Sequence, residues 1–489
     1  MLATNKIRIF FISALLSVFL TSYGQPESYW GVSFNTDASL LSGAVVGGNS
    51  GIASIYYNPA GISEIKNQQF ALNANLFSLE YSNYSNAIGG ENDLSNLAFR
   101  VQPRFVSYLY RSKKDTTVSI QFAIFNRNIN KVDMYKSVDY TTSLIKEGIN
   151  ENYFGNFDIV SDYTDYWGGA GASYELSPRL SIGASLFFSV KNFTYFKSIG
   201  VLVNPVADQL PDSVLYYEST WASYQKLVMY DVRMLGKIGF RYHGGDWSYG
   251  LNFTIPSLRL FGNGDVKKII SQANIPGSDI ATDDYNYHEV GNYMLAQFKD
   301  PFSVAIGVVY VRPSKRSRYY FSAEYFNKID KYKTVDGTKN VSPDDAYPIP
   351  TTDFLSYYYA ARAVVNIALG YQIKMTENTE GMFGFRTNFN PRKEIFDNPV
   401  LQGGMEFSVV PANQYYITGG TTFKYKKTSF LVGLQLAVGN KRDNIQFVNF
   451  YNPVVSDPGT GLSIQGKREY NMNYTFIGAS LFLGFSIGY

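Results

Sequence analysis

Cysteine is absent from all 489 residues, which excludes disulfides and a lipid anchor on an N-terminal thiol. Histidine occurs twice, at His243 and His288, and neither stands near a serine in a nucleophile-elbow context. The chain is therefore read as a non-enzyme. Charge is scarce: 17% of residues are Asp, Glu, Lys or Arg and the net charge is +3, so there is no electrostatic footprint of a nucleic-acid partner. Long apolar runs are missing too. The run Ile9–Leu20 is too short for a spanning helix and no other stretch reaches the roughly 18 residues that one needs, which excludes a helical membrane protein. The aspartate pairs Asp283/Asp284 and Asp344/Asp345 lack the ligand spacing of a calcium site, and no pattern points to a metal, redox or organic cofactor.

What the chain does have is tyrosine, 41 residues of it, and aromatics make up 17% of the total. An apolar ring with a polar tip suits the interfacial girdles of an outer-membrane barrel. The N-terminus carries Lys6 and Arg8, an apolar run and small residues at Ser22 and Gly24, so residues 1–24 read as a secretory signal peptide. From Phe70 to the end, period-two segments recur. Val118, Ile120, Phe122 and Ile124 share one face, and Leu180, Ile182, Ala184, Leu186, Phe188 and Val190 another, opposite Ser181, Gly183, Ser185 and Ser189. The last segment places Leu481, Leu483, Phe485, Ile487 and Tyr489 together, against Ser480, Gly484, Ser486 and Gly488. One face meets lipid and the other a lumen.

Short links near Ser112–Asp115, Ser177–Pro178, His243–Asp246, Arg312–Ser317, Met375–Thr379 and Lys426–Thr428 alternate with long polar ones such as Lys131–Ser161, Gly262–Asn292, Ile329–Phe354 and Gly439–Arg468. This alternation predicts an all-β, transmembrane antiparallel β-barrel of about 14 strands over residues 67–489, with long outer loops and both termini periplasmic. A C-terminal strand closing on Tyr489 is expected to be read by the barrel-assembly machinery.

Residues 25–66 do not alternate. They contain SGAVVGGNSGIASIYYNPAGI at 42–62, a glycine- and alanine-rich stretch running into Tyr56, Tyr57, Asn58, Pro59 and Ala60. This motif, placed between a signal peptide and a barrel, resembles the FadL/TodX family of outer-membrane channels for long-chain fatty acids and other hydrophobic molecules, in a Bacteroidota-like member. The resemblance implies that residues 25–66 form a hatch inside the barrel, with Asn58, Pro59 and Ala60 as its motif. It also implies partners that are hydrophobic small molecules or fatty acids and the surrounding outer-membrane lipid. Ligand would enter from the outer loops and leave sideways into the membrane beside a kinked strand, with no energy source, since a hydrophobic solute partitions down its gradient.

Pro103 lies mid-strand in Phe99–Tyr110, where a proline cannot donate to the ladder, so it marks the expected gap or bulge and the candidate lateral exit. Pro256 is the competing position. Arg100 and Arg104 flank Pro103 on the expected lumenal face, opposite Phe99, Val101 and Phe105, as candidate ligands for a carboxylate. Asp231, Arg233, Lys237, Arg241, Glu324 and Arg386 are expected to face inward and to pair across the lumen. The alternative reading is a non-transporting barrel serving as a subunit or docking partner of type IX secretion or another envelope-assembly complex, with other envelope proteins as partners. An apolar tunnel through the lumen would mark the transporter, and ordered outer loops with an apolar patch the subunit.

Overall fold

The computed structural model describes residues 29–30, 34, 37–48, 50–65, 70–111, 117–206, 218–276, 284–312, 316–338, 353–393, 412–457 and 462–487. The signal segment 1–24, the 66/67 boundary and Tyr489 lie outside them. Strands β1 (Phe70–Ser85), β2 (Leu94–Arg111), β3 (Val118–Thr142), β4 (Glu151–Ser177), β5 (Leu180–Pro205), β6 (Ser219–Gly244) and β7 (Trp247–Thr254) form the first half of the wall. After β8 (Leu258–Ala273) and β9 (Tyr285–Leu295) come β10 (Ser303–Arg312) and β11 (Ser317–Phe326). The hairpin β12 (Ile329–Val335) and β13 (Tyr357–Ala361) precedes β14 (Val364–Lys374), β15 (Thr379–Asn388), β16 (Asn413–Tyr425) and β17 (Thr428–Asn444). A second small hairpin, β18 (Pro453–Asp457) and β19 (Leu462–Gly466), leads to β20 (Met472–Ile487).

Fourteen of these strands close an antiparallel barrel in the order β1 to β7, β10, β11, β14 to β17 and β20, and β20 returns to β1. The alternation seen in the sequence is the pleat of this wall. Phe122, Ile124, Leu186, Phe188, Ile306, Leu434 and Leu436 stand exposed on the outside, Ile124 at 68%, while Ser185, Ser189, Asn252 and Gln435 are buried on the inside. In water each such side chain would forgo about 1.5–3 kcal/mol of burial, so the belt is a lipid-facing surface. No helix among the described residues is long and apolar enough to cross a membrane.

The long outer links differ from expectation. Residues 131–142 and 151–161, expected as irregular loop, continue β3 and β4. Their apolar face has changed sides: Val132, Met134, Tyr153, Phe157 and Ile159 point inward, with Lys131 and Asp133 outward. These extensions rise clear of lipid, so water takes the outer face. The inner face packs on Phe298, Leu355, Tyr357, Val448, Phe450 and Ile464 from the outer links, and an apolar core fills the outer end of the barrel.

Two strands are interrupted at facing positions. The β7 line breaks at Ile255–Ser257 and resumes as β8, which pairs with the outer half of β6. The β9 line breaks at 296–302 and resumes as β10.

The described N-terminal residues from Phe34 to Ile65 lie against the inner wall. Gln121 Nε2 donates to Ile52 O (2.5 Å) and Ser185 Oγ to Ile55 O (2.8 Å). The hydroxyls of Ser42 and Thr418 meet at 2.7 Å, and Arg111 holds Ser63 O. Where the backbone of this segment comes closest to the wall, the wall residue is glycine. A Cβ on Gly307 would stand 2.2 Å from Gly47 N, and one on Gly183 would stand 2.4 Å from the Pro59 carbonyl. Only a bare backbone permits that approach.

Candidate functional site

The wall is incomplete beside Pro103. Strand β2 pairs with β3 only from Phe105–Arg111 to Ser119–Phe125. Further out, β3 follows β4 while β2 stays with β1, so the two diverge above Phe105 and Phe125. Pro103 sits opposite Ala74, and β1 carries register shifts at Asn73/Ala74 and Asn75/Ser78 around that pairing. Proline removes one ladder donor, and the bulges shift the phase of the pleat. Phe99 and Val101 point out, yet Arg104 and Phe105 both point in. This corrects the expectation that Phe105 lies opposite the arginines: it is lumenal and 1% exposed.

Side chains span the seam where the ladder is missing. Arg100 donates from Nη1 to Ile129 O (3.2 Å) and from Nη2 to Lys131 O (3.5 Å), and pairs with Glu80 at 3.2 Å. Asp133 N donates to Asn96 Oδ1 (3.1 Å). Arg100 is thus a strut across the seam, whereas Arg104 is buried on the lumenal side.

Immediately behind the point of divergence is a cluster of aromatic rings. Phe34 packs on Phe105 (5.8 Å between centroids), Phe125 (4.8 Å) and Tyr56 (4.7 Å). Trp167 continues the cluster to Tyr56 (5.7 Å) and Phe187 (5.3 Å). Cations cap the rings: Arg127 lies 5.0 Å over Trp167 and Lys237 4.4 Å over Tyr56. A cavity of about 20 Å³ opens between Tyr29, Trp30, Phe34, Tyr56, Tyr57, Arg127 and Arg386. Rings from the N-terminal segment and from the wall meet here.

Asn58 uses both ends of its amide. Nδ2 donates to Val46 O (2.8 Å) and to Phe240 O of the wall (3.0 Å), and Oδ1 accepts from Ala60 N (3.2 Å). It thereby caps the 3-10 turn Pro59–Glu64, with Pro59 at the first position where its missing donor costs nothing. The turn ends on Glu64, whose carboxylate meets Arg241 (2.9 Å) and His243 Nε2 (2.6 Å). Of the other inward charges, Arg233 pairs with Asp231 (3.2 Å), Trp30 Nε1 donates to Glu324 (2.6 Å), and Arg386 stacks on Tyr416 (4.3 Å). Below the segment a vestibule of about 900 Å³ opens at the end with the short turns, lined by Asp37, Glu64, Arg179, Arg318, Glu380 and Lys424.

Against solved structures the likeness runs the length of the chain. The toluene transporter TodX of Pseudomonas putida superposes with a TM-score of 0.55 at 12% identity, covering 94% of this chain and 99% of that one. A FadL homologue of Pseudomonas aeruginosa gives 0.54 at 10% identity, covering 96% and 100%. The chain has the FadL/TodX fold. No family model matches the sequence, and no curated protein matches it. Within this FadL-like barrel, the aromatic cluster, the Glu64 contacts and the inward segment 296–302 were not singled out in the sequence. The shift of pleat phase at Arg104–Phe105 is a signal that a residue-by-residue parity count would have caught.

Proposed function

We propose that this FadL-like barrel is an outer-membrane channel for passive uptake of hydrophobic molecules, with lateral release through the seam between β2 and β3. The observation that carries the reading is the aromatic cluster lying directly behind the place where the β2–β3 ladder ends. A ligand from the outer end lodges among Phe34, Tyr56, Phe125 and Trp167 as the hatch, residues 25–66, yields. It then passes Phe105 into the bilayer. Transfer of each methylene from water to lipid is worth about 0.8 kcal/mol, which is drive enough without an energy source. In this reading the signal segment 1–24 directs export, both termini are periplasmic, and the assembly machinery inserts the barrel. Fatty acids and hydrocarbons are the substrate classes proposed, in line with the toluene and FadL-type transporters that share the fold.

A second reading, the docking subunit of a secretion or envelope-assembly complex, is favoured by one observation. The outer end is filled by a packed apolar core, and the large vestibule is polar and opens on the other side. Native mass spectrometry of the protein released from its own membrane separates the two. A lone barrel carrying a co-purified amphiphile is the expected result. A stable stoichiometric complex with other envelope proteins and no such ligand would overturn uptake as the main role.

A further inference from the structure

The segment between β9 and β10, residues 296–302, folds into the lumen as a strap. Phe298 lies edge-on to Tyr163 (5.8 Å) and Phe193 (5.7 Å), and its N–H donates to Asp231 Oδ2 (2.6 Å). Asp300 N donates to Ser257 Oγ (3.1 Å), at the facing interruption beside Pro256. The Asp300 carboxylate is held by three cations on three separate strands: Lys191 of β5 at 2.8 Å, Arg127 of β3 at 3.6 Å and Arg233 of β6 at 3.9 Å.

Two further carboxylates complete the cluster, both on continuous wall strands. Asp165 of β4 lies 3.0 Å from Arg127 and 3.8 Å from Lys191, and Asp231 of β6 lies 3.2 Å from Arg233. Three positive charges thus meet three negative ones, and only Asp300 stands on an irregular segment. Withdrawing the strap would leave a buried site of net charge +1, which is costly unless another anion takes its place. Arg127 also borders the small cavity beside Phe34 and Tyr56 and covers Trp167, so this site adjoins the aromatic cluster.

We propose that the Asp300 carboxylate is a built-in stand-in for a ligand's anionic group. It fills a monoanion site made by Arg127, Lys191 and Arg233, and an incoming carboxylate displaces it and frees the strap. The inference rests on the uptake reading and deepens it: a carboxylate joined to an apolar body engages both subsites at once. A neutral hydrophobe uses only the aromatic one. Displacement costs no net pairing, because one carboxylate replaces another on the same cations.

The test uses the full-length protein in detergent, with octanoate and octanol as matched probes and tryptophan fluorescence as the readout. Asp300→Asn should raise octanoate affinity at least tenfold and leave octanol affinity unchanged. Adding Lys191→Met should remove that gain. An octanoate affinity within twofold of the parent, or a gain that survives Lys191→Met, would overturn the proposal. Should Asp300→Asn not fold, a spin label on Lys299→Cys in the otherwise unchanged chain reads the strap directly. Octanoate must increase its mobility and octanol must not; equal responses overturn the proposal. Octanol binding without an octanoate effect defeats this inference alone, whereas binding of neither probe defeats the uptake reading with it.

Discussion

Asn58 holds three backbone groups with one side chain, two acceptors on Val46 and Phe240 and one donor on Ala60. Replacing it by alanine leaves buried carbonyls without their donor, at about 1–3 kcal/mol for each group left unsatisfied. Asn58→Ala should therefore lower the temperature of the heat-modifiable shift on gels and expose the hatch to added protease. An unchanged profile would show that the motif carries no structural role. Wall glycines are equally specific. A Cβ at Gly239 would stand 2.1 Å from Asn58 Oδ1, so Gly239→Ala should unseat the same turn while the barrel still forms. Protease accessibility of the N-terminal segment, measured on assembled barrels, decides this. The tripeptide at 58–60 was visible in the sequence, but its wall partners were not, because a glycine facing a lumen reads only as a small residue.

Among elements, β2 is continuous over Leu94–Arg111 yet loses its pairing with β3 part-way along. Its proline and the bulges opposite end the β2–β3 ladder at Phe105. Pro103→Val restores a donor and should extend that ladder outward, slowing uptake of a hydrophobic probe several-fold, whereas unaltered uptake would dissociate the kink from release. Pro103 drew attention in the sequence because a proline within a strand cannot donate to the ladder and so marks a gap or a bulge. The length of β3 and β4 was hidden, because beyond the membrane the apolar face turns inward and the outward Lys131 and Asp133 read as loop. The outer hairpin β12–β13 carries its own pH dependence. Lys333 bonds Asp353 (2.8 Å), as does Tyr358 (2.6 Å), and these contacts hold the Asp353 carboxyl down at about 2. A depressed carboxyl pKa stabilises above the ordinary value of 3.8 and loses that contribution as pH falls toward 2. Protection of residues 329–338 against hydrogen exchange, taken relative to the intrinsic rate at each pH, should fall over that window, and Asp353→Asn should reproduce the loss at neutral pH. Protection that stays constant from pH 5 to 2 would contradict the assignment.

The molecule as a whole is a barrel whose strand number and membrane facing follow from alternation and link length, both local properties. Its interior could not be read that way. The meeting of Phe34 with Phe125, or of Asp300 with Lys191, joins residues far apart in sequence, and only closure of the wall brings them together. Uptake by this barrel, as proposed, requires lateral release through the seam. A disulfide between Asn96→Cys and Asp133→Cys, where Asp133 N meets Asn96 Oδ1 at 3.1 Å, would pin the outer ends of β2 and β3 together and keep the seam from widening, and the natural absence of cysteine leaves no other thiol to confuse the result. Uptake of a hydrophobic probe into cells carrying the oxidised pair should fall to the level of cells lacking the protein and return on reduction. Uptake that continues at the parent rate with the bond closed would contradict release between β2 and β3.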